Sequence, residues 1–135
     1  MSASQVNTGT VASAQARRVA RLPELVNASE SLVRRGRFVT LDFQIVVGEQ
    51  PCFVSVEQGR ITRVLFEPQR MRSCAFIVRA SEEAWVQFWQ PMPAPWSQDL
   101  FAMVKKGRAS IDGDLHPFMA NLQYFKDVIA SPRRA

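Results

Sequence analysis

The side chains able to do covalent or acid–base chemistry are few in this sequence and stand apart from one another. His116 is the one histidine, so any Ser-His-Asp or Cys-His relay would have to pass through it. It precedes Pro117 at the start of an apolar helical stretch, and no spacing puts a Ser or Cys beside it. Cys52 and Cys74 show neither metal spacing nor a CxxC pair. Both sit in apolar strand-like runs, where cysteine commonly behaves as a small buried hydrophobe. Asp112 and Asp114 could act as paired carboxylates, but turn and cap duty explains both. No combination makes a metal-ligand set. The expectation is a protein that is not an enzyme, with no catalytic residue, cofactor or metal.

Large apolar side chains at regular spacing are what the chain does supply. Ala84, Trp85, Phe88 and Trp89 fall on one face of a helix capped by Ser81. Leu100, Phe101, Met103 and Val104 belong to a second helix, capped by Ser97 or Asp99. Leu115, Phe118, Met119, Leu122, Phe125, Val128 and Ile129 keep i, i+3, i+4, i+7 spacing through a single final helix. Such faces either fill a bulky core or surround an apolar ligand, and Met103 and Met119 add surface that can repack. Arg60, Arg63, Arg70 and Arg72 cluster around the third strand and its exit. They could meet a carboxylate, a phosphate or an anionic membrane, though such arginines are more often a solvated face. Lys105, Lys106 and Arg108 fall where a helix ends and offset its negative pole.

The elements that position these residues read as an α+β domain. Val39, Leu41, Phe43, Ile45 and Val47 alternate with polar neighbours as a half-buried strand. Cys52, Val54 and Val56 form the next, and Gln58-Gly59 turns into a third, RITRVLFE. A fourth strand runs through Phe76, Val78 and Ala80, and a short fifth through Ala109, Ser110 and Ile111. The expected architecture is a five-stranded, mainly antiparallel sheet with helices packed on one face.

Residues 1–21 read as a flexible basic leader, a composition that a mitochondrial transit peptide shares. Residues 22–135 read as a single domain, opened by one helix running from about Leu22 to Arg35. The chain has 135 residues and a net charge of +5. Six arginines against Glu24 and Glu30 place most of that charge in residues 1–37. The remainder is close to neutral, which argues against nucleic acid as a partner. No apolar run approaches the roughly 20 residues of a membrane span. Two cysteines without a disulfide pattern fit the cytoplasm.

Four features then fall in one register: the alternating strand ending at Ser81, the acidic-then-aromatic helix start at Glu82, Glu83 and Trp85, the Pro-containing loop, and the segment Gly107-Arg108-Ala109-Ser110-Ile111-Asp112-Gly113-Asp114 leading into an apolar helix. From about Phe38 to Ile129 the chain thereby resembles the sterol carrier protein type-two lipid-transfer domain family, which shows a Gly-basic-x-x-apolar-x-Gly-acid/Asn pattern at the last segment. The resemblance implies helices over one side of a five-stranded sheet, enclosing an apolar tunnel for a sterol, fatty acid or acyl-CoA. On that basis the ligand-binding candidates are Phe43, Phe76, Trp85, Phe88, Trp89, Phe101, Met103, Phe118, Met119, Leu122 and Phe125. The partners expected are an apolar lipid and, transiently, a membrane surface or a lipid-handling enzyme. The alternative is a ligand-free or prenyl-lipid-presenting accessory module for partner enzymes.

Overall fold

The computed structural model describes residues 13–67, 74–93 and 99–134. The first two strands, β1 (Thr40–Val47) and β2 (Gln50–Glu57), pair antiparallel, with Phe43 opposite Val54 and Ile45 opposite Cys52. Gln58 and Gly59, at φ 50° and 83°, make the tight turn into β3 (Arg60–Leu65). That pair of positive angles is the one a two-residue hairpin needs. β4 (Cys74–Ala80) returns parallel to β1, and β5 (Ala109–Gly113) closes the sheet antiparallel to β4. The order β3-β2-β1-β4-β5 is the mainly antiparallel five-stranded sheet that the strand pattern predicts.

One sheet face carries Phe43, Ile45, Val54, Phe76 and Val78, all fully buried, and the helices gather over it. α4 (Glu82–Phe88) begins where the Ser81 hydroxyl accepts from the Ala84 amide at 3.0 Å, with Glu82 and Glu83 in its first turn. A cap of this kind is worth about 1 kcal/mol. α5 (Leu100–Lys105) begins in the same way at Asp99, which accepts from the Phe101 amide at 3.1 Å.

Three expectations need correction. The leader does not extend to residue 21: Ser13 caps α1 (Ala14–Val19), whose Ala16 and Val19 are completely buried. Small and arginine-rich sequence reads as a tail, yet two apolar positions three apart suffice to seat one turn on a core. Residues 1–12 lie outside the described residues. The helix expected over 22–35 is two, α2 (Leu22–Asn27) and α3 (Glu30–Arg35). The Asn27 side chain both donates to the Ile61 carbonyl (3.0 Å) and accepts from its amide (2.9 Å), and Ser29 starts the new helix by accepting from the Leu32 amide. The final helix is also two, α6 (His116–Ala120) and α7 (Leu122–Ala130), separated at Asn121, whose φ and ψ of −126° and 39° are not helical. A 3-10 turn, Ser131–Arg134, ends the described chain.

Candidate functional site: the aromatic layer

The helical layer meets the sheet through two groups of rings. The larger lies under β1 and β4. Phe43 stacks on Phe76 at 5.0 Å between centroids, and Phe76 meets Phe118 and Phe125 edge-on, each at 5.1 Å. Phe118 in turn stacks on Phe125 at 5.8 Å, while Phe101 and Tyr124 close the margins. Each such pair contributes about 0.5–1.5 kcal/mol beyond the area it buries. Phe43, Phe76, Phe118 and Phe125 are all 0% exposed, so no water-sized space adjoins these four rings.

The smaller group belongs to α4. Trp85 and Trp89 stack at 4.7 Å, and Phe88 meets Trp85 edge-on at 5.5 Å. Each indole N–H is held at 2.9 Å by a backbone carbonyl, Trp85 by Val46 of β1 and Trp89 by Ile129 of α7. Arg133 lies 4.8 Å over the Phe88 ring and donates twice to the Phe88 carbonyl, at 3.0 and 2.6 Å. Partial burial of that guanidinium lowers its pKa. Among the described residues, no ring contact joins the two groups.

The candidate residues therefore divide by exposure. Phe43, Phe76, Phe118, Phe125, Met103 and the α4 aromatics are buried, and Phe101 and Leu122 are half-buried. Met119 is 54% exposed. It follows buried Phe118 in α6, and adjacent helical residues stand roughly 100° apart, so the helix that seats Phe118 leaves Met119 at the surface. Tyr124 is not among the candidates, although it anchors the layer: its hydroxyl donates to the Gly59 carbonyl at 2.7 Å. A tyrosine one position before an inward phenylalanine is the signal that could have found it.

Among the described residues, the groups that could act chemically stand apart from one another. His116 is exposed, and its backbone amide donates to Asp114. Cys52 is buried, which pushes its thiol up to about 12, and a thiol held so is a poor nucleophile. Cys74 accepts weakly from Gln44 at 3.5 Å on the opposite sheet face. Among the described residues no group of His, Cys, Asp and Glu could hold a metal ion, and no helix is long and apolar enough to cross a membrane. Of the four arginines around the third strand, Arg60 and Arg63 are exposed, while Arg70 and Arg72 lie outside the described residues. Clefts on the helical side are partly polar: one of about 380 Å³ is lined by Ser29, Ser31, Arg35 and Asp127, and one of about 270 Å³ by Phe88, Leu100, Lys126 and Arg133.

The same arrangement of sheet and helices recurs in solved structures. Sterol carrier protein 2 matches with a TM-score of 0.62 at 12% identity, over 92% of this chain and 97% of that one. UbiJ-SCP2, a ubiquinone synthesis protein, matches at 0.59 and 15% identity, over 87% and 94%. A conserved hypothetical protein of Thermus thermophilus, described as possibly a sterol carrier protein, matches at 0.56 and 11%, over 86% of each. No family model and no curated protein sequence matches the chain. The fold is that of sterol carrier protein 2.

Proposed function

We propose that this chain, built on the sterol carrier protein 2 fold, is a non-enzymatic carrier that holds a sterol, fatty acid, acyl-CoA or similar apolar ligand between its sheet and its aromatic helices. The reading rests on one observation above the rest: the ring group under β1 and β4 is held mainly by packing, and Phe101, Leu122 and Met119 at its margin are partly accessible, with Lys126 lying 5.6 Å over the Phe101 ring. Phe43, Phe76, Phe118 and Phe125 would form the floor. Half-buried Phe101 and Leu122 and exposed Met119 would form the rim. The tethered α4 aromatics Trp85, Phe88 and Trp89, with Met103, would be the fixed wall.

The closed layer makes the mechanism one of exchange. A ligand enters as α6 moves out with Phe118, and ring–ligand contacts replace ring–ring contacts. A chain of about sixteen carbons offers roughly 12 kcal/mol of transfer free energy. Association costs of about 4–15 kcal/mol and the work of opening oppose it. At the low end of those costs the balance approaches a micromolar affinity, set by shape, with little need for polar recognition. Cytoplasmic exchange between membranes is the setting that fits.

The test is uptake. Delipidated protein should take up a fluorescent fatty acid or sterol at micromolar concentration. Leu122→Asp, which puts a carboxylate on the rim rather than in the packed floor, should weaken uptake at least tenfold with an unchanged circular dichroism spectrum. Indifference to every lipid class tested sinks the carrier reading.

A second reading draws on the full occlusion of the four central rings and on the match to a ubiquinone synthesis protein. In it the chain is an accessory module, presenting a prenyl lipid to partner enzymes or scaffolding them without a ligand. Native mass spectrometry of freshly purified protein separates the two. A co-purifying sterol, fatty acid or acyl-CoA mass favours the carrier, and a prenyl-lipid mass or a clean apo mass favours the accessory module.

A further inference from the structure

The described residues leave Phe38, Met92, Leu115 and Met119 as large hydrophobics open to water, and three of these gather at one end of the sheet. β1 begins there, with Thr40 opposite Glu57, and β3 begins there, with Arg60 opposite Glu57. β4 starts and β5 finishes at the same end, Cys74 beside Asp42 and Gly113 opposite Phe76. Phe38 enters β1 at this end and Leu115 leaves β5 from it. β1 and β5 are two strand spacings apart, roughly 10 Å. Met119 is one helical turn beyond Leu115, its amide bonded to the Leu115 carbonyl.

Phe38 is not loose. It is 84% exposed between buried Gly36 and buried Val39. The Val39 amide bonds the Gly36 carbonyl at 2.8 Å, and the Gly59 amide bonds the Val39 carbonyl at 3.2 Å. A Cβ on Gly36 would stand 2.3 Å from the Tyr124 ring, so helix, strand and hairpin close on one another without slack. Arg37 lies 4.6 Å over the Phe38 ring and donates to the Arg34 carbonyl. A rigid corner thus holds an aromatic ring outward under a guanidinium, with Arg34 and Arg60 exposed nearby. Among the described residues the carboxylates at this end are Glu57, Asp114, buried Asp42 and Asp112; Asp114 is engaged by the His116 amide and Asp112 lies 3.9 Å from Arg79.

We propose that this end of the sheet docks on an anionic lipid surface, with Phe38, Leu115 and Met119 entering the interface and Arg34, Arg37 and Arg60 meeting headgroup phosphates. Separate apolar projections between arginines suit a headgroup layer, where rings and methylenes sink between charges. A second copy of the chain would call for a continuous apolar face, which these three residues do not make. The assignment goes beyond the carrier reading; it shares Met119 with the rim of that site, and its tests rest on Phe38, Arg34, Arg37 and Arg60, which lie outside the aromatic layer.

The experiment follows the emission of a Phe38→Trp variant, taken as the difference from the parent protein. Mixed phosphatidylserine–phosphatidylcholine vesicles should shift that emission to the blue, and brominated lipid should quench it. Raising the salt from about 50 to 500 mM should reverse both. Phe38→Ala should weaken co-sedimentation roughly tenfold, and each Arg→Gln at 34, 37 or 60 roughly fivefold, with solution uptake of a fluorescent lipid unchanged. An emission unmoved by anionic vesicles overturns the proposal, as does a shift produced by polyglutamate and not by vesicles. Phe38→Ala protein that co-sediments like the parent also overturns it.

Discussion

The two ring groups of the helical layer are made of similar side chains and held in different ways. Around α4, each indole and the Phe88 carbonyl take part in a hydrogen bond that crosses to another element. Moving that group would strand polar atoms in a dry interior, at about 1–3 kcal/mol for each. Under β1 and β4 the rings are phenylalanines, which have no polar atom to strand. Among the described residues, only the Tyr124 hydroxyl of this group, at its margin, makes a hydrogen bond across to another element, at Gly59. Rings held by packing can exchange one apolar neighbour for another at modest cost, so one group is a fixed wall and the other a surface able to give way. The helix best placed to move is α6, which carries Phe118 inward and Met119 outward and is set off from α7 at Asn121.

The largest effect should come from Phe76, whose ring touches three others. Phe76→Ala should destabilise by about 3–5 kcal/mol, through lost burial and a cavity that cannot collapse, read as a lower midpoint in urea. A cost below about 1 kcal/mol would mean the rings already adjoin empty space. Next comes Trp89→Phe, which keeps a ring but leaves the Ile129 carbonyl unpaired. It should cost about 1–3 kcal/mol, and a neutral result would remove the distinction between the groups.

Legibility in the sequence follows range. The strands could be read because alternation is a local property, and Ser81 and Asp99 because a cap bonds within three residues. The Gly113 turn belongs with them: its φ of 106° and a Cβ position 2.7 Å from the Ala75 carbonyl both demand glycine. The helix breaks could not be read. Asn27 spends its amide on Ile61, 34 residues away, and no local pattern announces that. Met119 follows inward Phe118 by one residue, roughly 100° round the helix, so an i, i+3, i+4 count that admits both places inward a residue that stands exposed. Phe38 escapes the pattern as Asn27 does, since the run RRGRF gains its rigid mount only from the Gly59 hairpin and Tyr124.

Hydrogen exchange compares the two regions in the intact protein. Amides of α6 should exchange at least about tenfold faster than those of α4, because local opening follows the elements with fewest tethers. An apolar ligand should slow α6 and leave α4 nearly unchanged. Equal protection of both helices by ligand would place the opening elsewhere in the layer.

The smallest effect concerns the Tyr124 tether of the phenylalanine group. Burial pushes the Tyr124 phenol up from its ordinary 10.0, and the Cys52 thiol from 9.0 to about 12. The unfolded chain therefore sheds these protons at lower pH than the folded chain does. Stability should be level below pH 9 and fall as pH rises towards 12, first through Cys52 and then through Tyr124. The Cys52 contribution is about 1 kcal/mol by pH 10. Cys52→Ala should flatten the first part of the decline in urea midpoint, and Tyr124→Phe the part above pH 10. The Tyr124→Phe protein should also lose about 1 kcal/mol at neutral pH, the worth of its bond to Gly59. If its α6 amides then exchange no faster than the parent's, Tyr124 holds only its own margin, and Phe118 was already free to move.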